Sequence, residues 1–429
     1  MNASSLPYAS KSVKKILYVI LDGVGDRPSD ALGGRTPLGA ARTPNLDGLA
    51  REGRLGLVQT VGPDIAPESD VAVMAMLGYD PHTYHAGRGP LEALGAGLAF
   101  NEGDLALRGN FTTLGAGRRI IDRRVGRNLT SAEAADLARA VTAQVQLTTA
   151  PATFVVHATI GHRCAVVFYP TEGRLSAAIS NTDPAYGRMG GLGVAKAIAG
   201  TEVEECRPLD DSAEAWVAAE LVNEFTRKSR EVLEEHEVNA RRRGAGHQPA
   251  NGILVRDGGD HLPAVPTMAE RFGVRLACVV EMPVERGIAR FLGMDIVEIP
   301  PGAGYRAWAE KAVEALPRYD GLYLHLKGPD ERGHDGDHAA KTASIARIDE
   351  EFFGPLRQRW DPHWLLAVTA DHATPWELRA HSADLVPLLI AGGGSDGLTR
   401  FTEEDAARGS VGTLRGTQVL PLLVELARA

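Results

Sequence analysis

Acidic residues and histidines that could bind a metal ion occur close together in the last quarter of the chain. Asp330 is followed four residues later by His334, Asp371 is followed at once by His372, and His381 comes soon after. Carboxylate oxygens combined with imidazole nitrogens suit Mn²⁺, Zn²⁺ or Fe²⁺ better than Ca²⁺. The Asp-x₃-His spacing alone is a weak signal, but its combination with an Asp-His pair and a further histidine predicts a metal site.

A further acid, Asp22, follows an apolar run near the start of the chain. If Asp22, Asp330 and Asp371 share one cleft, their charges repel each other and raise their pKa values unless cations are present. Two divalent ions would remove that cost. Each acid taken alone is more simply explained by a turn, because Asp is common in turns.

Ser69 lies between Glu68 and Asp70, directly before an apolar run that predicts a helix. One interpretation is an N-terminal helix cap, for which serine is favoured. The other is a nucleophile, because a hydroxyl bound to a metal ion can lose its proton near neutral pH, as metal-bound water does. The two interpretations are compatible, since the N–H groups at a helix N-terminus suit a bound phosphoryl group.

Short, continuous apolar runs predict the strands that would position these acids, at residues 16–21, 274–280, 321–326, 364–369 and 385–391. Such runs are typical of parallel strands buried on both faces, and a helical stretch at 341–353 completes a βαβ pattern. In open α/β sheets ligands bind at the carboxyl ends of the strands, where Asp22, Asp330 and Asp371 are expected. Pro387 predicts an edge strand or a late strand start.

The middle of the chain has a different pattern. It predicts a helix near 131–145, strands near 154–157 and 162–169, and a long polar helix over 212–243, and the glycine-rich segment 86–97 predicts a turn. We therefore expect an α/β fold with a mostly parallel sheet flanked by helices and a smaller inserted α/β (α+β) domain. The predicted domains are a discontinuous metal-binding domain, 1–104 with 251–429, and an insert, 105–250.

Composition limits the class of partner. The chain has 429 residues and a net charge of −9, which argues against nucleic acid or an anionic membrane as partner. The three cysteines, Cys164, Cys206 and Cys278, have no CxxC spacing, which argues against disulfides or a zinc–thiolate site. With no apolar signal-peptide core at the N-terminus and no membrane-spanning run, we expect a cytoplasmic protein.

Six motifs, in order along residues 16 to 410, resemble one known family: ILDGVGDRP, APESDVAVMAMLGYDP, GRGPLEALGAG, KGPDERGHDGD, TADHATP and HSADLVPLLIAG. They are similar to those of the cofactor-independent (2,3-bisphosphoglycerate-independent) phosphoglycerate mutases of the archaeal type, within the alkaline phosphatase superfamily. The resemblance implies an alkaline phosphatase-like fold. It also implies interconversion of 3-phosphoglycerate and 2-phosphoglycerate through a phosphoserine, using two divalent metals. Manganese is the usual metal, with magnesium, zinc or cobalt as alternatives.

The resemblance also implies a role for each motif residue. Ser69 would be the nucleophile. One metal would be held by Asp22, Ser69, Asp371 and His372, and the other by Asp330, His334 and His381. The chain departs from the family at Glu68, because many members have glycine before the serine.

A mutase must also hold an anionic substrate and keep water from the phosphoserine, and we expect the insert to do both. Guanidinium groups bind carboxylate and phosphate bidentately, which favours the basic segments of the insert. The candidate substrate-binding residues are Arg123, Arg124, Arg127, His162, Arg163, Asn181, Asp183, Arg256 and Lys327.

Two other functions fit part of this pattern. A metal-dependent phosphatase or phosphodiesterase of the same superfamily would have the same metal ligands, and it would differ in the insert. A metal-stabilised binding protein without activity would not need the serine.

Overall fold

A computed structural model describes residues 13–84, 86–189, 192–196, 200–300 and 302–429. The strands are β1 Lys15–Leu21, β2 Gly53–Gln59, β3 Leu105–Leu114, β4 Ile120–Asp122, β5 Ala152–Ala158, β6 Arg163–Pro170, β7 Tyr186–Met189, β8 Leu192–Ala195, β9 Gly252–Gly259, β10 Leu276–Val279, β11 Asp295–Ile296, β12 Gly321–Leu326, β13 Trp364–Thr369, β14 Val386–Ala391 and β15 Gly412–Arg415.

The α-helices are α1 Pro37–Ala40, α2 Pro44–Glu52, α3 Ser69–Met76, α4 Pro81–Tyr84, α5 Arg88–Gly95, α6 Ser131–Gln144, α7 Ala213–Glu235, α8 Glu237–Gly244, α9 Met268–Phe272, α10 Pro283–Phe291, α11 Tyr305–Ala315, α12 Pro329–Asp335, α13 His338–Ile348, α14 Gly354–Gln358, α15 Glu403–Ala406 and α16 Gly416–Arg428. A π-helical turn, Asp349–Phe353, continues α13. Short 3-10 turns occupy Asp30–Leu32, Val125–Arg127 and Leu316–Arg318.

The chain divides into two compact units. The first comprises the described residues of Met1–His85, Pro266–Glu281 and Leu292–Ala429, and the second those of Ala86–Val265 and Met282–Phe291. This division lies at other residues than the predicted boundaries 104/105 and 250/251. The reason is pairing within the second unit, where β9 pairs with β3 and α10 packs against α5.

The first unit contains an eight-stranded sheet within the described residues, in the order β11-β10-β12-β1-β13-β14-β2-β15. The strands from β11 to β13 are parallel, and β15 is parallel to β2. Strands β1, β12 and β13 are almost entirely buried, as continuous apolar runs predict. The predicted α/β class with a large, mostly parallel sheet is therefore confirmed.

Strand β14 corrects the expectation based on Pro387. It is an internal strand, antiparallel to both β13 and β2, so the edge prediction was wrong. The pairing with β13 covers only Leu389–Ala391, whereas the pairing with β2 starts at Val386. Pro387 therefore lies where the strand has one partner, and its missing N–H leaves the ladder with β13 intact.

The second unit is built on an antiparallel sheet in the order β4-β3-β6-β5, with β9 also paired to β3. Its core packs α6 and α7 against the sheet, with Phe154, Phe168 and Phe225 in edge or tilted contacts. The single helix predicted over 212–243 is two helices, α7 and α8. The backbone of His236 is extended there, and its ring accepts a hydrogen bond from the Val238 N–H to cap α8.

The glycine-rich segment 86–97 is a helix, α5, and the predicted turn was wrong. Its glycines serve close packing. A Cβ on Gly95 would lie 1.7 Å from the Pro283 carbonyl oxygen, and one on Gly287 would lie 1.8 Å from the Leu91 carbonyl oxygen. Helices α5 and α10 therefore approach until their backbones touch, which only glycine permits.

Two further observations concern the cysteines and the possibility of a membrane-spanning helix. Cys164, Cys206 and Cys278 are buried and free. Within the described part of the chain, none of the helices combines the length and the apolar character needed to cross a bilayer.

Candidate metal centre

The sheet order explains why three distant acids meet. Strands β12, β1 and β13 are neighbours and run parallel. Asp22 directly follows β1, Asp371 comes two residues after β13, and Asp330 lies in the first turn of α12, just past β12. Parallel neighbours end at the same edge of a sheet, so these loops bring the acids together.

The first cluster consists of Asp330, His334 and His381, whose ligand atoms lie within 4.8 Å of one another. The Nε2 atoms of His334 and His381 are each 3.5 Å from Asp330 Oδ1. Asp330 and His334 are four residues apart on α12, so they share one face of the helix. These are the three residues that the resemblance assigns to one metal.

The second cluster surrounds the fully buried His372. Its Nε2 is 3.2 Å from Asp371 Oδ2 and 3.6 Å from Asp22 Oδ1. Both carboxylate oxygens are buried without a hydrogen-bond partner. A buried, unpartnered carboxylate oxygen is costly, and a divalent cation would satisfy both oxygens. The donor set therefore fits a metal ion, although its role as a set of ligands stays a prediction.

The histidines are also oriented as metal ligands are. His334 Nδ1 lies 3.0 Å from the Arg379 carbonyl oxygen, and His381 Nδ1 lies 2.8 Å from the Pro67 carbonyl oxygen. A carbonyl can only accept, so Nδ1 carries a proton in both histidines, and Nε2 is the nitrogen that faces Asp330. Metal-binding histidines almost always donate their other ring N–H in this way.

Thr374, which the sequence analysis missed, orients a residue of each cluster. Its hydroxyl donates to Asp330 Oδ1 at 2.6 Å, so it accepts from His372 Nδ1 at 3.1 Å. This fixes the His372 proton on Nδ1 and leaves Nε2 free. Gly23 has a φ of 59°, and a Cβ there would lie 2.6 Å from the Thr374 hydroxyl, so glycine is required beside it. The signal in the sequence was the threonine two residues after the Asp-His pair.

Ser69 is the first residue of α3, and Glu68 occupies the cap position, so Ser69 is not the N-cap. Ser69 Oγ lies 3.4 Å from His372 Nε2. Of the four residues assigned to one metal by resemblance, Asp22, Ser69 and Asp371 therefore converge on Nε2 of the fourth, His372. The backbone N–H groups at the start of α3 lie beside the hydroxyl, where they suit a phosphoryl group.

Two basic residues adjoin Asp22. Lys327 Nζ is 3.0 Å from Asp22 Oδ2, so the candidate substrate-binding lysine pairs with a predicted metal ligand. His325, which the sequence analysis missed, is fully buried, with Nε2 3.5 Å from Asp371 Oδ2 and 3.6 Å from Asp22 Oδ1. Its signal was a histidine inside an otherwise apolar strand, two residues before Lys327.

The charges around Asp22 and Asp330 keep these two acids ionised. Burial alone would raise the pKa of Asp22, but Lys327, His325 and His372 hold it well below its ordinary value. Burial also raises the pKa of Asp330, and the neighbouring Asp22 adds to this, yet the hydrogen bond from His381 and the nearby imidazoles lower it on balance. The carboxylates are therefore available as anionic ligands.

His372 and His381 differ in their pKa values. Burial lowers the pKa of His372 despite the neighbouring Asp371, so its imidazole is neutral. Burial would also lower the pKa of His381, but the hydrogen bond to Asp330, the charges of Asp330 and Glu68 and the Pro67 carbonyl raise it to about 9. A cation at the first cluster therefore competes with a proton for His381 Nε2.

Three of the candidate substrate-binding residues of the second unit, Arg123, Asp183 and Asn181, form side-chain hydrogen bonds within the protein. Arg123 and Asp183 form a bidentate pair, with distances of 3.0 Å and 2.5 Å. Asn181 accepts from the Asp257 N–H and donates to the Tyr186 carbonyl oxygen. The polar groups of these three side chains are therefore already bonded within the protein, which leaves them fewer free groups to offer a substrate.

Arg256 lies beside an arginine that the sequence analysis missed. Arg256 and Arg108 are register partners on β9 and β3, and both side chains are buried. The Arg256 guanidinium stacks on the Tyr186 ring at 3.3 Å, and Arg108 Nε has no hydrogen-bond partner. Burial and the charge of Arg256 lower the pKa of Arg108. Each of these buried cations also lies near a buried carboxylate, since Arg108 Nε is 3.6 Å from Glu92 Oε1 and Arg256 Nε is 3.7 Å from Asp257 Oδ2.

His162 reports the same positive field. Its pKa is lowered to about 3, first by burial and then by Arg163, Arg124, Arg108 and Arg127. These cations therefore lie close enough to one ring to repel its protonated form. Arg124 and Arg127 are exposed, and Arg163 is half-buried. Arg163, Arg124, Arg108 and Arg127 therefore act on one ring of the second unit, and the contact of the candidate arginines with substrate stays a prediction.

The first unit and its clusters define an α/β protein with an acid–histidine site of the kind that binds divalent cations. The comparisons with known proteins narrow this class. The family model of 2,3-bisphosphoglycerate-independent phosphoglycerate mutase matches residues 50–239.

Relatives and solved structures match over nearly the whole chain. A 2,3-bisphosphoglycerate-independent phosphoglycerate mutase of Aeropyrum pernix is 46% identical over 96% of this chain and 99% of its own length. The cofactor-independent phosphoglycerate mutase of Thermoplasma acidophilum is 34% identical, with a TM-score of 0.63 over 96% of this chain and 100% of that one. A protein of solved structure from Pyrococcus horikoshii is 32% identical, with a TM-score of 0.79 over 97% and 98%.

The chain belongs to the family of 2,3-bisphosphoglycerate-independent phosphoglycerate mutases, and it is an enzyme of that family. The family resemblance carried by the six motifs is confirmed.

Proposed function

We propose that this enzyme interconverts 3-phosphoglycerate and 2-phosphoglycerate through a phosphoserine on Ser69, without 2,3-bisphosphoglycerate. The observation that carries the proposal is the convergence of Ser69 Oγ, Asp22 Oδ1 and Asp371 Oδ2 on His372 Nε2. It occurs in a chain whose relatives with this name match over almost its full length.

Two divalent cations would be held by the residues of the two clusters, with Ser69 as a further ligand beside His372. When bound, they would lower the pKa of the Ser69 hydroxyl and neutralise the phosphoryl oxygens. Oxygen and imidazole donors without thiolates suit manganese, which we propose as the metal in use. The cytoplasm is the proposed compartment, consistent with the three free cysteines.

In the forward direction Ser69 Oγ attacks phosphorus and loses its proton. A bond from Ser69 to phosphorus forms, the bond between phosphorus and the 3-oxygen breaks, and that oxygen gains a proton. The glycerate then turns, its 2-oxygen attacks phospho-Ser69 and loses a proton, and Ser69 recovers its hydroxyl. The N–H groups at the start of α3 would hold the phosphoryl oxygens during both steps.

The arginines of the second unit would bind the anionic groups of the substrate while it turns. The lowered pKa of His162, to which burial and then Arg163, Arg124, Arg108 and Arg127 contribute, supports this role. The ion pair between Arg123 and Asp183 would hold together the two segments that carry these residues.

The decisive experiment is a product assay by phosphorus NMR. The full chain with Mn²⁺ and 3-phosphoglycerate, and with no bisphosphoglycerate, should produce 2-phosphoglycerate. Inorganic phosphate should accumulate far more slowly. Release of phosphate faster than isomerisation would instead identify a phosphatase.

Replacing Arg124 tests the arginine cluster. Arg124→Ala removes an exposed cation near His162. The hydrogen bond from Arg124 to Asp122 is donated by the backbone N–H, so the substitution leaves it in place. A lost charge-assisted hydrogen bond costs about 1.5–3 kcal/mol, so KM for phosphoglycerate should rise roughly 10- to 100-fold. The exposed Arg119→Ala, in the preceding loop, is the control. Equal KM values for the two variants would contradict a substrate contact at Arg124.

A further inference from the structure

A lysine of the first unit is buried close to the candidate metal centre. Lys341 lies on α13 and has no solvent exposure. Lysine is rarely buried, because its ammonium group loses hydration, and burial accordingly lowers its pKa. The mechanism proposed above does not use this residue.

The ammonium group of Lys341 has three partners on two loops. It donates to the Gly25 carbonyl oxygen at 3.2 Å, to Asp26 Oδ2 at 2.8 Å and to the Thr374 carbonyl oxygen at 2.8 Å. Gly25 and Asp26 follow β1 and its ligand Asp22, whereas Thr374 follows the ligands Asp371 and His372. One cation therefore ties the two loops that present these ligands.

One of the residues that Lys341 contacts, Thr374, orients a side chain in each of the two clusters. The Thr374 N–H donates to the Gly25 carbonyl oxygen at 3.0 Å, so Lys341 and this bond close a ring between the loops. The Thr374 hydroxyl contacts Asp330 Oδ1 and His372 Nδ1. A shift of the Thr374 backbone would move that hydroxyl and release the His372 proton from Nδ1.

We propose that Lys341 is a positioning residue for the cation-binding histidine and carboxylate, acting through Thr374. It holds the Thr374 backbone against the Gly25 carbonyl, and Thr374 in turn keeps His372 Nε2 unprotonated and Asp330 oriented. The proposal rests on the proposed metal-dependent function, since it concerns the affinity of the centre for a cation.

The alternative is that Lys341 only compensates the charge of Asp26. Asp26 is 7% exposed and also accepts hydrogen bonds from the backbone of Arg27 and Trp376. The two roles differ in the bonds that they need. Charge compensation needs only the Asp26 contact, whereas positioning needs the two carbonyl contacts.

The test compares Mn²⁺ affinity in variants of the metal-stripped full chain, by EPR of free Mn²⁺. Asp26→Asn keeps both carbonyl bonds of Lys341, and we expect affinity close to that of the unaltered protein. Asp26→Asn combined with Lys341→Met removes the tie without leaving a buried charge. We expect Mn²⁺ to bind it roughly 10- to 100-fold more weakly, as for other groups that orient metal ligands. Equal affinities of the single and double variants would overturn the proposal.

Variants of Thr374 test the residue through which Lys341 is proposed to act. They also provide the test if no Lys341 variant folds. Thr374→Val removes the hydroxyl at constant shape and should weaken Mn²⁺ binding, whereas Thr374→Ser should restore it. Unchanged affinity of Thr374→Val would overturn the proposal. When Thr374→Val is added to the double variant, the two losses of Mn²⁺ affinity should be less than additive, because both act through Thr374. Full additivity would contradict this shared action through Thr374. If the unaltered protein itself binds no Mn²⁺, the proposed function fails instead.

Discussion

Ser69→Ala is expected to abolish isomerisation while the fold and the cation sites remain. The variant loses the oxygen that would carry the phosphoryl group, and α3 itself contains no other hydroxyl-bearing residue. By comparison with the loss on removing the nucleophile of a serine protease, kcat should fall by on the order of 10⁴-fold or more. The other residues around His372 Nε2 are unchanged, so we expect Mn²⁺ binding to weaken far less than activity.

The measurement is the rate of 2-phosphoglycerate formation, with Mn²⁺ titration of the same preparation. Ser410→Ala, which alters an exposed serine of the same unit, is the matched control and should retain activity. Rapid quenching of the unaltered enzyme should show a phosphoryl group on the peptide that contains Ser69. Appreciable turnover by Ser69→Ala would rule out the phosphoserine route.

Removing divalent cations with a chelator is expected to silence the enzyme and lower its melting temperature. Asp22, Asp330 and Asp371 would then repel one another, and the buried oxygens Asp22 Oδ1 and Asp371 Oδ2 would have no partner. Adding Mn²⁺ should reverse both effects. At 100 times its dissociation constant, a bound ion adds about 2.7 kcal/mol to the free energy of unfolding. Full activity of protein shown by elemental analysis to be metal-free would refute the two-metal site.

The same titration should depend on pH. The raised pKa of His381, about 9, means that a proton occupies the first cluster at neutral pH unless a cation displaces it. Mn²⁺ affinity should therefore fall as pH decreases below about 9, by up to about tenfold per unit for one released proton. His381→Gln should bind weakly with a flatter pH dependence. His363→Gln, at an exposed histidine paired with Asp361, should titrate like the unaltered protein.

The sequence by itself determined the parallel core and the identity of most site residues. Strands buried on both faces must be continuously apolar, so 16–21, 321–326 and 364–369 could be recognised without a partner in view. The acids and histidines were recognisable because few structural roles require Asp-x₃-His, Asp-His and a further histidine at predicted strand ends.

Only the tertiary structure decided which groups support these residues. Thr374, His325 and Lys341 each have at least one contact with a segment 44 or more positions away, and no local pattern encodes such pairings. The same holds for α5, whose glycines resemble a turn in sequence but fit against Pro283 and the chain of α10. The internal position of β14, despite Pro387, likewise depended on its strand neighbours, and the break between α7 and α8 depended on the cap at His236.

The physical reason is the range of the interactions. Hydrophobic periodicity and turn preference are local, so the sequence expresses them directly. The order β12-β1-β13 is set by packing across the whole sheet, and this order brings three separate loops to one edge. The distances around His372 Nε2, and the proton on its Nδ1, follow from that order and from the Thr374 hydroxyl.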